Sequence, residues 1–440
     1  TEPDPVEDQG SSRGGQRVVT RRESGFANCC GAGSGISSPA SSRTFMRTTL
    51  LASLCTAVLL GSLGSATCRA AETAAGSSSL ARALRAPALK DAQVSALVVR
   101  ARDGGAVFER QPDSALIPAS NQKILTAVAA LSYFGPTHRF PTRVESSPAL
   151  AESGAVETLC VIGTGDPLLT SEQWWRLSAD LRVRGLRRVR GDILLDARAF
   201  DRVSHHPSWG KVTSRAYFGP VSALSANYGA FEVWVSSESG VGAPPAVRID
   251  PPLSYFELAN RAEVGSGSSR LRVDRARTAT GERITVSGRL SARAGSRRFA
   301  RSVSDPVAYA GAVFLEHLRG QGIVVDGEAR EAAADCNAPL YEFEGLPMAT
   351  AVRRFLKWSN NAIGETLVKA MGAAAEGVPG TWEKGVRTAR RELAERGIPI
   401  ESARWIDGSG LSRQNRVSSR TLVTALRAAR ESFQWGPEFM

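Results

Sequence analysis

The sequence predicts an α/β (α+β) domain interrupted by a large β-rich insertion. Three observations carry that expectation. Apolar residues recur at helical spacing just after residue 120 and again beyond residue 305. A hairpin signal, Asp103-Gly104-Gly105, precedes the first of these patterns. Between about residues 140 and 300 the chain changes to short β-like runs broken by Gly, Pro and Ser.

Taken in order, residues 1–45 are rich in Gly, Ser and Arg without periodicity and are expected to be a disordered upstream segment. Met46 opens a different pattern: Arg47, an apolar stretch from Leu50 to Leu63, then small residues through Ala70 and Ala71. A charged start, a short apolar run and a small-residue exit read as a secretory signal over 46–71. The run is too short to span a bilayer comfortably. The expected location is outside the cytoplasmic membrane, periplasmic where the source has an outer membrane. Residues 72–140 form the first part of the main domain. Strands are expected at 93–100 and 106–110, then a helix behind Pro118 with Ile124, Leu125, Val128 and Leu131 on one side. The insertion, 141–304, carries strand-like runs at 157–163, 192–196, 231–236 and 284–288. The second part of the main domain, 305–440, has helical patterns at 307–319, 348–357, 362–371, 382–396 and 421–431.

The formal charge is +12, and arginine carries it, since lysine occurs only at positions 90, 123, 211, 357, 369 and 384. Such a balance favours anionic surroundings. No basic run interleaved with aromatics and no zinc-finger or helix-turn-helix spacing occurs, so nucleic acid is not an expected partner. Four of the six cysteines lie in or before the leader; Cys160 and Cys336 remain, either as one disulfide or as two buried thiols. Neither they nor the four histidines show a metal-ligand pattern, and no cofactor is expected.

The chemistry concentrates in two short segments. In "IPASNQKILTAVAAL" Ser120 and Lys123 stand three apart, which places them on one face of a helix. A serine hydroxyl needs a base beside it, and a lysine becomes that base once desolvation lowers its pKa. The Ser120 N–H, near the positive end of the helix, is a candidate oxyanion donor. The pattern alone is common: about half a chance occurrence is expected among so few lysines. A second one, Ser208 with Lys211, follows Pro207, precedes no helical run and is set aside. In "KWSNNAIGETLVKAMG" Ser359-Asn360-Asn361 sits at the junction of two helices, where a hydroxyl and a carboxamide face one cleft. The plainer reading of both segments is helix capping with a solvated lysine.

Together these segments resemble the penicillin-binding serine DD-peptidases, in which a Ser-x-x-Lys nucleophile meets a Ser-x-Asn element and a Lys-Thr-Gly strand. More narrowly, the chain resembles the D-alanyl-D-alanine carboxypeptidase/endopeptidase family, the class C low-molecular-mass penicillin-binding proteins. That family has a large insertion between its first two motifs, as the roughly 240 residues from Ser120 to Ser359 would supply. Gly163-Thr164-Gly165-Asp166-Pro167, Val378-Pro379-Gly380-Thr381-Trp382 and Asp407-Gly408-Ser409-Gly410-Leu411-Ser412-Arg413 extend the resemblance.

The resemblance implies a penicillin-binding/transpeptidase-like domain and a serine-type D-Ala-D-Ala carboxypeptidase/endopeptidase. Its implied partners are peptidoglycan stem peptides, with β-lactam antibiotics as inhibitors. Ser120 would be the acylated nucleophile, Lys123 its base, Ser359 a proton relay and Asn361 a hydrogen-bond partner of the substrate. Arg413 would engage an anionic peptide stem. Asp166 reads as a structural turn residue. No lysine is followed by Thr-Gly, so the chain is expected to be a fragment with little activity, since one lost oxyanion donor costs on the order of 100- to 1000-fold in rate. The competing expectations are a non-catalytic cell-wall-binding homologue and a serine β-lactamase.

Overall fold

The computed structural model describes residues 78–439. The expected disordered segment and secretory leader lie outside the described residues. No helix among them is long and apolar enough to cross a membrane.

The described residues include seven α-helices of eleven residues or more: α1 (Gln122–Phe134), α2 (Ser171–Val183), α3 (Pro306–Gly320), α4 (Met348–Trp358), α5 (Asn361–Glu376), α6 (Trp382–Glu395) and α7 (Ser419–Glu431). Four of their starts follow capping chemistry. Asp305, Asn360, Thr381 and Ser418 each accept a backbone N–H from the first turn of α3, α5, α6 and α7. The predicted hairpin is present, Ala96–Val99 pairing antiparallel with Ala106–Arg110. The Asp103 carboxylate accepts the Gly105 N–H in its turn.

Two hydrophobic clusters organise the molecule. The first is gathered around α1, whose residues Leu125 and Ala127–Leu131 are all fully buried, against α4, α5, α6 and α7. This helical layer carries both sequence motifs. The second cluster belongs to the insertion. It is built on a five-stranded sheet in the order Ala329–Glu331, Ile193–Asp196, Thr158–Gly163, Pro141–Ser147, Ala338–Glu344. The first three strands run parallel to one another and the last two pair antiparallel. Helices α2 and α3 cover it through Trp174, Leu177, Leu181, Val313 and Phe314. Three three-stranded sheets accompany it: Phe256–Gly265, Glu282–Ser291 and Arg270–Arg277; Ser296–Ser302, Ala230–Ser236 and Ala246–Asp250; and the short strands Val324–Val325, Arg188–Val189 and Ala155–Val156.

The fold class is as expected, with two differences of detail. A full helix, α2, stands inside the region read as β-rich; Trp174, Leu177 and Leu181 keep helical spacing and are fully buried. The five-stranded sheet takes two strands and the covering helix α3 from beyond residue 304, so the insertion's core closes near residue 344. A sheet edge is satisfied by whichever strand reaches it, and that pairing is nonlocal. Cys160, fully buried in the sheet, forms a disulfide with Cys336 across 176 residues. The open choice between a disulfide and two thiols is resolved in favour of the former.

Candidate active site

Pro118 leads into a 3-10 turn, Ala119–Asn121, that feeds directly into α1. The turn leaves Ser120 exposed and drives Lys123 inward, where it is 2% exposed. Ala119 is held at φ +46°, a region costly for a residue with a side chain. Gly410 explains how it is held. It has φ +86°, and a Cβ there would lie 1.8 Å from the Ala119 carbonyl oxygen. Only glycine lets the 407–412 loop clamp the turn that carries Ser120.

The second motif comes from the α4–α5 junction. Ser359 ends α4 in the left-handed region (φ +51°, ψ +38°), and the Asn360 side chain caps α5 by accepting the Ile363 N–H at 3.1 Å. This sharp turn aims Ser359 Oγ at Ser120 Oγ, 3.1 Å away. Asn361 opens α5 and faces the same point. Its Nδ2 donates to the Tyr217 carbonyl at 2.9 Å, which turns Oδ1 toward Lys123.

Lys123 is the hub. Its ammonium donates to Asn361 Oδ1 at 2.7 Å, to the Ser409 carbonyl at 2.8 Å and to Ser120 Oγ at 3.2 Å. Burial pulls its pKa down to about 8, while the charges of Glu365 and Asp407 act in the opposite direction. The plain capping reading is therefore wrong for this lysine: it is buried at the floor of the site, with the two serines above it.

The 407–412 loop is wound around the buried carboxylate of Asp407. Its Oδ1 accepts from Gly410 N and Asn415 Nδ2, and its Oδ2 from Ser412 N and Trp209 Nε1, all within 2.7–2.9 Å. Glu365, one turn along α5 from Asn361, holds the start of the loop. It accepts the Gly408 N–H, the Ser409 N–H and the Trp382 indole N–H. Burial, first, and the neighbouring Asp407 push its pKa upward, while these three N–H donors act in the opposite direction. Farther along the same face, buried Lys369 pairs with Asp201 and stacks over the Trp382 ring.

The structure thus brings Ser120, Lys123, Ser359 and Asn361 together. Arg413 lies apart from them: it is exposed just after the 407–412 loop, and its carbonyl accepts from Arg416. Ser208, set aside in the sequence, bonds Ser412 and His206 while Lys211 points to solvent. Asp166 is a buried turn residue whose Oδ1 accepts the Leu168 N–H at 2.8 Å. Glu365 and Lys369 were not singled out in the sequence, and Asp407 entered only as the first residue of the 407–413 motif. The signal was present, because Asn361, Glu365 and Lys369 recur every four residues along an otherwise apolar helix.

The set of groups is one that could carry out acyl transfer: an exposed hydroxyl, an adjacent amine of lowered pKa, a second hydroxyl and an oriented carboxamide. Comparison with known proteins points the same way. The model of the D-Ala-D-Ala carboxypeptidase 3 (S13) family matches residues 77–440. The chain is 33% identical over 356 residues to a D-alanyl-D-alanine carboxypeptidase of Actinomadura sp. (strain R39), covering 79% of this chain and 66% of that protein. It is 25% identical over 318 residues to the D-alanyl-D-alanine carboxypeptidase DacB of Haemophilus influenzae, covering 71% and 65%. The chain therefore spans just under two thirds of these relatives' length. The crystal structure of penicillin binding protein 4 (dacB) from Haemophilus influenzae has the same fold, with a TM-score of 0.64 at 23% identity over 76% of this chain and 74% of that one. The structure of that protein complexed with a β-lactam gives 0.61, covering 77% and 74% at 23% identity.

Proposed function

The chain belongs to the D-Ala-D-Ala carboxypeptidase 3 (S13) family, and on that premise we propose that it is a serine peptidase acting on the D-Ala-D-Ala end or the cross-links of peptidoglycan stem peptides. Ser120 is the nucleophile, Lys123 its base, Ser359 the relay and Asn361 the group that orients both the base and the substrate.

One observation carries this reading: the partners of Lys123 determine where its lone pair points. The Ser409 carbonyl and Asn361 Oδ1 only accept, so a neutral amine keeps its two N–H bonds on them. The direction left over is Ser120 Oγ. Lys123 takes the Ser120 proton as Oγ bonds to the substrate carbonyl carbon, with the Ser120 N–H facing the developing oxyanion. The proton then passes by way of the Ser359 hydroxyl to the leaving amine as the peptide C–N bond breaks. Water attacks the resulting ester, its proton returns along the same path to Ser120 Oγ, and the shortened peptide leaves. Penicillin, whose amide lies in a strained ring, acylates the same oxygen and stays. Arg413 is assigned to the rim, where its guanidinium meets an anionic stem.

The test is covalent labelling with a fluorescent penicillin, followed by peptide mapping. The adduct is expected on Ser120 and absent from Ser120→Ala, and Lys123→Ala should label at least 100-fold more slowly. A folded wild-type protein that takes no label would overturn the enzyme reading in favour of a non-catalytic wall binder.

A further inference from the structure

We propose that Glu365 is a positioning residue: by gripping two consecutive N–H groups of the 407–412 loop, it holds the Ser409 carbonyl on Lys123 and so keeps the lysine lone pair aimed at Ser120. This deepens the acyl-transfer reading and rests on it.

The geometry is a short chain of contacts through the protein interior. Glu365 is fully buried on α5. Its Oε1 accepts the Ser409 N–H at 2.9 Å, and its Oε2 accepts the Gly408 N–H at 2.9 Å and the Trp382 Nε1–H at 2.8 Å. The carbonyls of the same two residues face the opposite way, onto α1. Gly408 O accepts from Thr126 Oγ1 at 2.7 Å, and Ser409 O accepts from Lys123 Nζ at 2.8 Å. The Gly408-Ser409 backbone is therefore a bridge with a carboxylate on one side and the base on the other. Gly408 makes the span short enough, since a Cβ there would lie 2.3 Å from the Gly364 carbonyl.

A carboxylate suits this place because it accepts all three donors. A glutamine has one oxygen to offer and turns an NH2 toward N–H groups, so a donor of the bridge is left unpaired. Loss of the bridge frees the Ser409 carbonyl, and the lone pair then has two directions instead of one. The negative charge has a separate effect. The charged groups around this carboxylate are Asp407 from the loop, Lys123 from α1 and Lys369 farther along α5. Removing the Glu365 charge, or moving the Ser409 carbonyl, favours neutral Lys123 over its ammonium form. A Glu365→Gln variant should therefore react more slowly at its plateau, yet reach that plateau at lower pH. A side chain that merely stabilised the fold would change the melting temperature and leave the pH midpoint of acylation in place.

The experiment measures the second-order rate of acylation by fluorescent penicillin from pH 6 to 10 for the wild type, Glu365→Gln and Glu365→Asp, alongside thermal melts. The Lys123 titration is followed independently by NMR in protein labelled with 13Cε-lysine, where six lysines give a readable spectrum. Glu365→Gln is expected to lower the plateau at least tenfold and move both the kinetic limb and the Lys123 titration to lower pH. Glu365→Asp keeps the charge but falls one methylene short of the bridge. It should lose a comparable part of the plateau with a smaller pH shift, and it carries the test if the glutamine variant does not fold. A folded Glu365→Gln with an unmoved Lys123 titration, or a folded Glu365→Asp with wild-type plateau, overturns the proposal. Absence of label on the wild type instead overturns the acyl-transfer reading, and the Lys123 titration still decides what Glu365 does to the lysine.

Discussion

At the residue scale the decisive quantity is the proton affinity of one buried amine. With a pKa near 8, roughly a tenth of Lys123 is neutral at pH 7, enough for the base role proposed for it. Acylation by penicillin should rise about tenfold per pH unit up to a midpoint near 8 and then level off; a profile flat from pH 6 to 9 would contradict the assignment. Asp166 gives a second residue-scale expectation, one of stability. Burial pushes its carboxyl up to about 7, above its ordinary 3.8. The folded state therefore holds a proton that the unfolded chain releases, and stability falls as pH rises between those values. Asp166→Asn, which keeps the acceptor for the Leu168 N–H, should exceed the wild type by about 2–3 kcal/mol at pH 8 in urea unfolding, with the gain shrinking toward zero near pH 4.

At the scale of elements, the site depends on how closely a loop approaches a helix start. The 407–412 loop touches the turn before α1 through Gly410, which combines a positive φ with a carbonyl where any Cβ would sit. Gly410→Ala must push Ala119, and Ser120 with it, out of line. It should cost about 1–3 kcal/mol in thermal or denaturant melts and slow acylation at least tenfold. An unchanged acylation rate would mean the loop does not set the position of the nucleophile. The helices themselves were legible. The α1 pattern from Ile124 to Leu131 and the patterns at 307–319 and 421–431 are local signals, and the helices lie close to where those signals place them. Helix α2 was not found, because its few buried positions lie among strand-like neighbours and the helix is recognisable only once a sheet is there to cover.

At the scale of the whole molecule, two hydrophobic clusters divide the work. The helical layer carries Ser120, Lys123, Ser359 and Asn361, and the insertion is a second, sheet-based core tied by the Cys160–Cys336 disulfide. That bridge closes a loop of 176 residues, and its removal should destabilise the protein by about 2–4 kcal/mol. Thermal melts with and without a reductant, checked against a Cys160→Ser/Cys336→Ser double variant, measure the effect. The penicillin label proposed for Ser120 should survive below the melting temperature, because the disulfide lies in the insertion and Ser120 in the helical layer.

By itself the sequence determined the parts: a serine and a lysine one helical turn apart, a Ser-x-Asn corner between two helices, the caps that start those helices and a large insertion between the motifs. These are local, since spacing along a helix and capping chemistry act over a few residues. Only the tertiary structure decided that Lys123 is buried, that its partners are Asn361 and the Ser409 carbonyl, and that Glu365 backs them from the next helix. The two lysine contacts join segments more than 200 residues apart. A pKa depends on what surrounds a group in space, so no reading of neighbours along the chain supplies it.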